Sequence, residues 1–350
     1  MSSPLCAKPL RASSDHAALT PPPGRRVKAL ELEPLARPGS VSGPPTSWDY
    51  FADRAFRGLA QAGAWLILLL LAFILWSVGG KAWLAIRDHG VGFLTSTTWD
   101  VSRQQFGVLP QIWGTLYSSL LALAVGGSLG VAMAIFLTQD FLTPRLAQVF
   151  RMVVELLAAI PSVVYGLWGL FIVVPAMRPI AAWLYERLGF IPLFGTTLSG
   201  PGMAPAGLVL AIMILPTVAA VSQDALRLVP YRVKEAAYGL GTTRWEAILR
   251  VMLPAASTGI FGALVLGFGR ALGETMALAM LIGNSNQISL SLFSPANTLA
   301  ALLALNFPEA GPREVPVLMY AALVLLAITL VVNVVGGAIM TLSSRQGGRR

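Results

Sequence analysis

The chain has 350 residues, of which 55% are hydrophobic and 12% are charged, and its mean hydropathy is +0.70. Soluble domains carry about a quarter of charged residues, so this composition excludes an ordinary soluble protein and indicates an integral membrane protein. The net charge of +9 does not indicate nucleic-acid binding, because the basic residues follow the membrane topology derived below. The single cysteine, Cys6, excludes an intrachain disulfide.

The N-terminal region precedes the first apolar stretch. Residues 1–47 are rich in Pro, Ser and basic residues, and such a segment cannot bury enough apolar surface to offset the entropy of ordering. We therefore expect residues 1–47 to be a disordered cytoplasmic tail. Residues 48–61 follow, and their aromatic side chains, such as Trp48 and Phe51, favour the headgroup level of a bilayer. We predict that they form a separate amphipathic helix at the interface.

Six apolar stretches are long enough to cross a hydrocarbon core of about 30 Å as helices. They lie at residues 62–81, 110–138, 149–174, 204–222, 255–282 and 317–341. With the N-terminus in the cytoplasm, 18 of the 25 Lys and Arg residues fall on the cytoplasmic side and 5 on the other. This excess follows the positive-inside rule. The sequence predicts an all-α membrane protein with six transmembrane helices in a domain at 62–342, cytoplasmic termini and a short cytoplasmic tail at 343–350.

Small and polar residues interrupt the inner spans. Gly126 and Gly130, like Gly269 and Gly273, lie four residues apart, a spacing that lets helix backbones approach closely in lipid. We therefore expect the second to fifth helices to form a packed core, with the first and sixth more peripheral. The polar cluster at residues 115–119 is open to two interpretations, a lining for a path or interhelical hydrogen bonds.

The polar segment 227–253, between the fourth and fifth spans, predicts a helix–turn–helix at the cytoplasmic surface. Pro230 suits the first turn of a short helix, and Gly241 permits a sharp turn because glycine tolerates positive φ. The motif Thr243-x-x-Glu246 has the spacing of a capping box at the start of the second helix. Pro254 is expected to separate that helix from the fifth span.

Two charged residues, Arg270 and Glu274, lie inside the predicted fifth span. A spacing of four places both on one face of a continuous helix, close enough to pair. Each buried charge costs about 2.5–3.5 kcal/mol on insertion scales, so pairing or a water-filled path is expected. One interpretation is a buried ion pair that fixes helix register. The other is a gated site in which Arg270 binds an oxyanion and Glu274 holds the guanidinium when no anion is present.

The cytoplasmic loop resembles the "EAA" coupling loop of binding-protein-dependent ABC importer permeases. The residues that carry this resemblance are Glu235, Ala236, Ala237, Gly241, Leu253 and Pro254. In that family the loop docks on an ATP-hydrolysing subunit, which implies an ATPase-coupling role for these six residues. Further stretches, at 155–171 and 269–277 with Gly283 and Asn284, resemble phosphate-specific transport permeases of the PstC type. This resemblance covers roughly residues 50–342.

The resemblance implies a type I ABC importer permease fold in a bacterial inner membrane. It implies a complex with a second permease of the PstA type, a dimeric cytoplasmic ATPase and a periplasmic phosphate-binding protein, surrounded by lipid. We expect Arg270, Glu274, Thr275 and Asn284 to line the substrate path. The chain carries no phosphate-loop motif, so it is expected to be a transporter subunit and not an enzyme, with no cofactor, no metal and no nucleic-acid partner.

Two other functions are compatible with the residues. A single arginine does not distinguish tetrahedral oxyanions, so a permease for molybdate, tungstate or sulfate is one alternative. An ion-coupled secondary carrier is the other, although the coupling loop and the absence of a sustained internal repeat disfavour it.

Overall fold

The computed structural model describes residues 47–139 and 141–347, with only the backbone for Asp49 and residues 342–347. The predicted tails lie outside the described residues, apart from Ser47 and residues 343–347, which are helical. Contacts divide the chain into two units, one ending at Leu68 and one beginning at Leu69, and we describe each by itself. The described part of the first unit is the N-terminal half of one long helix.

Most of the described residues are helical. The helices are α1 (Ser47–His89), α2 (Gly92–Thr95), α3 (Leu109–Ala122), α4 (Ser128–Thr138), α5 (Pro144–Ala159), α6 (Ser162–Trp168), α7 (Val174–Leu188), α8 (Met203–Arg227), α9 (Tyr231–Gly239), α10 (Arg244–Glu246), α11 (Leu253–Leu272), α12 (Met276–Leu281), α13 (Leu299–Asn306) and α14 (Glu314–Gly347). Three π-helical turns (Leu123–Gly127, Gly169–Val173, Ala247–Met252) and two 3₁₀ turns (Pro192–Phe194, Phe307–Glu309) extend or connect them. Two short strands, β1 (Trp99–Asp100) and β2 (Gln105–Phe106), pair antiparallel, with Trp99 opposite Phe106.

Six helical stretches among the described residues are long and apolar enough to cross a membrane, which confirms the predicted number. They are Tyr50–His89, Leu109–Thr138, Ser162–Leu188, Met203–Arg227, Arg244–Leu272 and Glu314–Thr341. A shorter apolar helix, Leu299–Glu309, was not predicted. The second and fourth stretches begin within one residue of their predicted starts.

The N-terminal helix differs from the prediction of an interfacial helix at 48–61 followed by a separate span at 62–81. The structure has a single helix, α1, from Ser47 to His89. The sequence from Trp48 to His89 contains no proline, and each internal glycine costs a helix only about 1 kcal/mol. Nothing local therefore ends the helix between the two predicted elements.

The third span is also different, because the predicted stretch 149–174 is broken near its middle. Helix α5 ends at Ala159, and Ile160 is extended with φ −69° and ψ 128° before Pro161. A proline ring disfavours the helical conformation of the residue before it, so a new helix begins at Ser162. The membrane-crossing stretch is Ser162–Leu188, displaced toward the C-terminus of the prediction.

The prediction of the fifth span, residues 255–282, is wrong at both ends. Pro254 does not separate it from the preceding helix, since one helical stretch runs from Arg244 to Leu272. Pro254 lies in the first turn of α11, directly after the π-helical turn Ala247–Met252, and such a widened turn tolerates an irregular hydrogen-bond ladder. The helix then ends at Leu272 and not at Ile282. A Glu274 carboxylate oxygen accepts a 3.4 Å hydrogen bond from the Ala277 amide, which caps the separate helix α12.

The core is centred on α8. In the most apolar 18-residue stretch of this helix, 67% is buried, whereas in that of α1 none is buried. Gly126 and Gly130 let the second membrane helix approach α8. A Cβ atom at Gly126 would clash with the Ala211 carbonyl, and one at Gly130 would lie 2.9 Å from Val218 Cβ. This pair therefore has the packing role expected from its spacing. Gly269 lies against Asn333 of α14, while Gly273 is outside the helix.

Candidate functional site

The loop between the fourth and fifth membrane helices is a helix–turn–helix, as predicted. Helix α9 ends at Gly239, and Gly241 has φ +81°, a value that favours glycine. The Thr242 hydroxyl closes the turn with a 2.8 Å hydrogen bond to the Ala237 carbonyl. The next helix begins with the predicted capping box, in which Thr243 and Glu246 exchange side-chain and backbone hydrogen bonds.

The predicted ATPase-coupling residues divide between the surface and the interior of this loop. Glu235, Ala236, Gly241 and Pro254 are exposed. Ala237 is buried, since α9 packs on the π-helical turn Ala247–Met252. Leu253 is partly buried in an apolar cluster whose fully buried members are Ala134, Leu226, Ala256 and Ile260. The loop therefore combines an exposed face with an anchor in the membrane domain.

Large apolar side chains surround that exposed face, and sequence reasoning missed them. Leu228 and Leu240 are 83% and 86% exposed, and Trp245 and Leu249 are both more than half exposed. The available signal was the occurrence of apolar residues inside a polar, charged loop. An apolar surface of this kind next to charged residues is typical of a protein interface.

The second helix of the loop is tied to the short connection between α4 and α5. The Trp245 and Phe141 ring centroids lie 5.2 Å apart. The Arg244 guanidinium carbon lies 5.7 Å from the Phe141 ring centroid, within the range of a cation–π interaction. These contacts link the start of the long helix Arg244–Leu272 to the loop between α4 and α5.

At the other end of that long helix, the predicted proximity of Arg270 and Glu274 on one helix face is not found. The helix ends at Leu272, so the i, i+4 geometry does not apply. Arg270 Nη1 donates a 3.0 Å hydrogen bond to Thr217 Oγ1 on α8. No ion pair joins Arg270 and Glu274 within the described residues.

The other two predicted path residues flank helix α12. Thr275 precedes it, and its hydroxyl donates a 3.1 Å hydrogen bond to the Gly273 carbonyl. Asn284 follows it, with a left-handed φ of 48° after Gly283 at 95°. Because α12 has six residues, it separates Glu274 and Thr275 from Asn284 by about 9 Å along its axis. The structure thus distributes the four predicted path residues between α11 and the two ends of α12.

Asn284 belongs to a network of amide side chains that the sequence did not reveal. Asn297 donates to Asn284 Oδ1 at 2.8 Å, and Gln111 on α3 donates to Asn286 Oδ1 at 2.7 Å. Thr115, in the polar cluster on α3, accepts a 2.9 Å hydrogen bond from the Leu299 amide. Thr115 therefore takes part in interhelical hydrogen bonding, which was one of its two predicted roles.

Comparison with known proteins identifies the class. Residues 126–346 match the family described as "Binding-protein-dependent transport system inner membrane component". The chain is 41% identical to the phosphate transport system permease protein PstC of Haemophilus influenzae, over 85% of this chain and 96% of that protein. It is 39% identical to the PstC protein of Mesorhizobium japonicum, over 84% and 92% of the two chains.

Solved structures support the fold. A chain of the bacterial alginate ABC transporter, in complex with an alginate pentasaccharide-bound periplasmic protein, aligns with a TM-score of 0.56 at 16% identity. That alignment covers 82% of this chain and 95% of the other. With six apolar helices, these matches make the protein a multi-pass inner membrane protein with the type I ABC importer permease fold. The chain belongs to the family of binding-protein-dependent transport system inner membrane components, and within it to the PstC group of permeases.

Proposed function

We propose that this chain is a permease subunit of an ATP-driven phosphate importer. Its partners would be a second permease of the PstA type, a dimeric cytoplasmic ATPase that hydrolyses ATP, and a periplasmic phosphate-binding protein. The observation that carries the proposal is the 41% identity to a phosphate transport permease over 85% of this chain and 96% of that protein.

The coupling loop would transmit the ATPase cycle to the path through one helix. The capped start of that helix lies beside the Gly241 turn, and the same helical stretch reaches Arg270. At about 1.5 Å per residue, Arg244 and Arg270 are about 40 Å apart along it. Movement of the exposed face around Glu235 and Ala236 would therefore displace the end of the helix that carries Arg270. In this arrangement residues 227–253 and both chain termini face the cytoplasm.

Arg270 would bind the transported anion. Its guanidinium has five N–H donors in a planar fork, of which the Thr217 hydrogen bond uses one. Thr217 would hold the fork in position from α8 and leave other donors for phosphate oxygens. Glu274, Thr275 and Asn284 would line the same path along α12, with the Glu274 carboxylate repelling anions when the path is closed.

The test is uptake of radiolabelled phosphate into proteoliposomes that contain the complete complex and the loaded binding protein. ATP-dependent uptake that is unaffected by excess molybdate, tungstate or sulfate supports the phosphate importer. Transport of one of those competitors in place of phosphate would overturn the substrate and keep the coupling. Uptake that survives ATP depletion and follows an ion gradient would overturn the ATP-driven mechanism in favour of a secondary carrier.

A further inference from the structure

We propose that Asn284 and Asn286 form an oxyanion-binding pair of amide donors, which the buried side chains of Asn297 and Gln111 orient. The proposal rests on the proposed function, and deepens it by adding a second anion site beyond Arg270. The ligand of this pair is the transported phosphate, bound by neutral N–H groups.

The backbone fixes the orientation of the Asn297 amide. This side chain is 1% exposed, and its Oδ1 accepts a 2.9 Å hydrogen bond from the Thr298 N–H. Its Nδ2 therefore points the other way, and donates to Asn284 Oδ1 at 2.8 Å and to Asn286 Oδ1 at 3.5 Å. An amide side chain has an NH₂ donor and a carbonyl acceptor. Because Asn297 presents its NH₂ group, Asn284 and Asn286 must turn their carbonyl oxygens toward it.

Gln111 provides a second hydrogen bond that fixes the orientation of the Asn286 amide. Gln111 is fully buried on α3, and its Nε2 donates to Asn286 Oδ1 at 2.7 Å. Its Oε1 is buried with no hydrogen-bond partner in the described part of the chain. A reversed Gln111 amide would place two oxygens in contact, so the buried oxygen stays unpaired at a cost in stability. The network thus keeps the Asn286 oxygen turned inward despite that cost.

Both Asn284 and Asn286 consequently turn their donors away from the network. Their oxygens accept hydrogen bonds, whereas their Nδ2 groups have no acceptor among residues 47–139 and 141–347. Asn284 is exposed and Asn286 is partly exposed. The oxygens of both side chains accept from the same Asn297 amide. Two NH₂ groups whose carbonyls are turned inward suit an oxyanion, because they supply donors without acceptor–anion repulsion.

The backbone of this pair is held in place. Asn284 has a φ of 48°, an uncommon value that asparagine tolerates better than most residues. The Ser285 amide donates to the Ala296 carbonyl at 3.0 Å, and the Ala296 amide donates to the Ile282 carbonyl at 2.8 Å. The donors are therefore preorganised, which lowers the cost of binding an anion. Helix α12 connects the pair to the helix break that contains Glu274.

The first experiment changes the donors in the complete, reconstituted transporter. Asn284→Asp replaces the donors with a carboxylate of the same shape, and Asn284→Ala removes them. Uptake of radiolabelled phosphate should fall about tenfold for Asn284→Ala, since a hydrogen bond to a charged group contributes about a factor of ten or more. It should fall further for Asn284→Asp, because the carboxylate also repels the anion. The matched control is Gln287→Asp, the same charge change at a neighbouring exposed amide, and its uptake should stay near wild type. An Asn284→Asp variant as active as Gln287→Asp would overturn the proposal.

The second experiment tests the positioning role of Asn297. Asn297→Asp keeps an acceptor for the Thr298 N–H but offers no donor, so the Asn284 amide, which Gln111 does not hold, should rotate and turn its oxygen outward. We expect a loss of uptake of about tenfold, and no further loss when Asn297→Asp is added to the Asn284→Ala/Asn286→Ala double variant. An equal additional loss in that background would mean a merely structural role and would overturn the positioning claim.

Two readouts separate the possible failures. The amount of assembled complex and its thermal midpoint are measured for every variant, and activities are compared per assembled complex. A wild-type complex that takes up no phosphate would contradict the proposed function itself. A wild-type complex that transports phosphate, with Asn284 and Asn286 variants of unchanged uptake, would contradict this inference alone.

Discussion

Arg270, near the end of α11, donates a hydrogen bond from Nη1 to Thr217 Oγ1 of α8 at 3.0 Å. The neighbouring helix therefore holds the guanidinium, and the break after Leu272 separates it from Glu274. A buried ion pair that fixes helix register was one interpretation of the two charges. The described residues do not have that pair.

Thr217→Val tests the contact that holds Arg270. Valine keeps the shape of threonine and removes the hydroxyl, so the guanidinium loses its acceptor on α8. We expect phosphate uptake to fall about tenfold, because the lost hydrogen bond involves a charged guanidinium. Thr217→Ser is the matched control because it retains the hydroxyl. If both variants transport equally well, Thr217 does not position Arg270.

A charge exchange distinguishes an ion pair from two separate charges. If the residues formed a pair, the double variant Arg270→Glu/Glu274→Arg would recover the function that either single variant loses. Since the structure holds them apart, we expect the exchanged variant to take up phosphate no better than Arg270→Glu. Recovery to half of wild-type uptake would restore the ion-pair interpretation. Assembly of the complex is measured alongside, so that loss of folding is not mistaken for loss of transport.

Glu235→Lys tests the exposed coupling face. Glu235 is exposed on α9 and makes no ion pair in the described chain, so the change should leave this subunit folded and inserted. We expect ATP-dependent uptake to be lost, because the reversed charge opposes docking on the ATPase. The control is Glu186→Lys, the same change at an exposed position near the end of α7. Normal uptake by Glu235→Lys would contradict the coupling role.

Gly126→Ala tests the packing of the second membrane helix on α8. The added methyl group would meet the Ala211 carbonyl, a backbone atom that cannot rotate away. Overpacking of this kind costs about 1–3 kcal/mol, so the thermal midpoint of the detergent-solubilised complex should fall. Gly337→Ala is the control, because a Cβ atom at this position on α14 has no neighbour within 4 Å. Equal midpoints for the two variants would contradict the close approach.

The sequence predicted the class and most of the membrane helices because long apolar runs have few alternatives in a bilayer. It was less successful at prolines. Pro161 ends one helix by forcing Ile160 into an extended conformation, whereas Pro254 is accommodated just after a π-helical turn. Both prolines lie near apolar segments, so their different effects depend on the hydrogen bonding of the turn before them and not on composition.

Only part of the candidate site could be predicted from the sequence. Arg270, Glu274 and the coupling residues could be found in the sequence because charges and small residues stand out in apolar or amphipathic segments. Their partners could not be found. Thr217 lies 53 positions from Arg270, and Gln111 lies 175 positions from Asn286.

By itself, the sequence determined a six-helix membrane protein with a helix–turn–helix in the loop between its fourth and fifth spans, since hydrophobic length, capping and glycine turns are local properties. The tertiary structure alone decided which polar side chains meet. In the structure, Arg270 makes its hydrogen bond with Thr217 and no ion pair with Glu274. The buried Asn297 and Gln111 orient the side chains of Asn284 and Asn286. These contacts depend on how distant helices pack, and a buried amide keeps one orientation only when each neighbour supplies the complementary donor or acceptor.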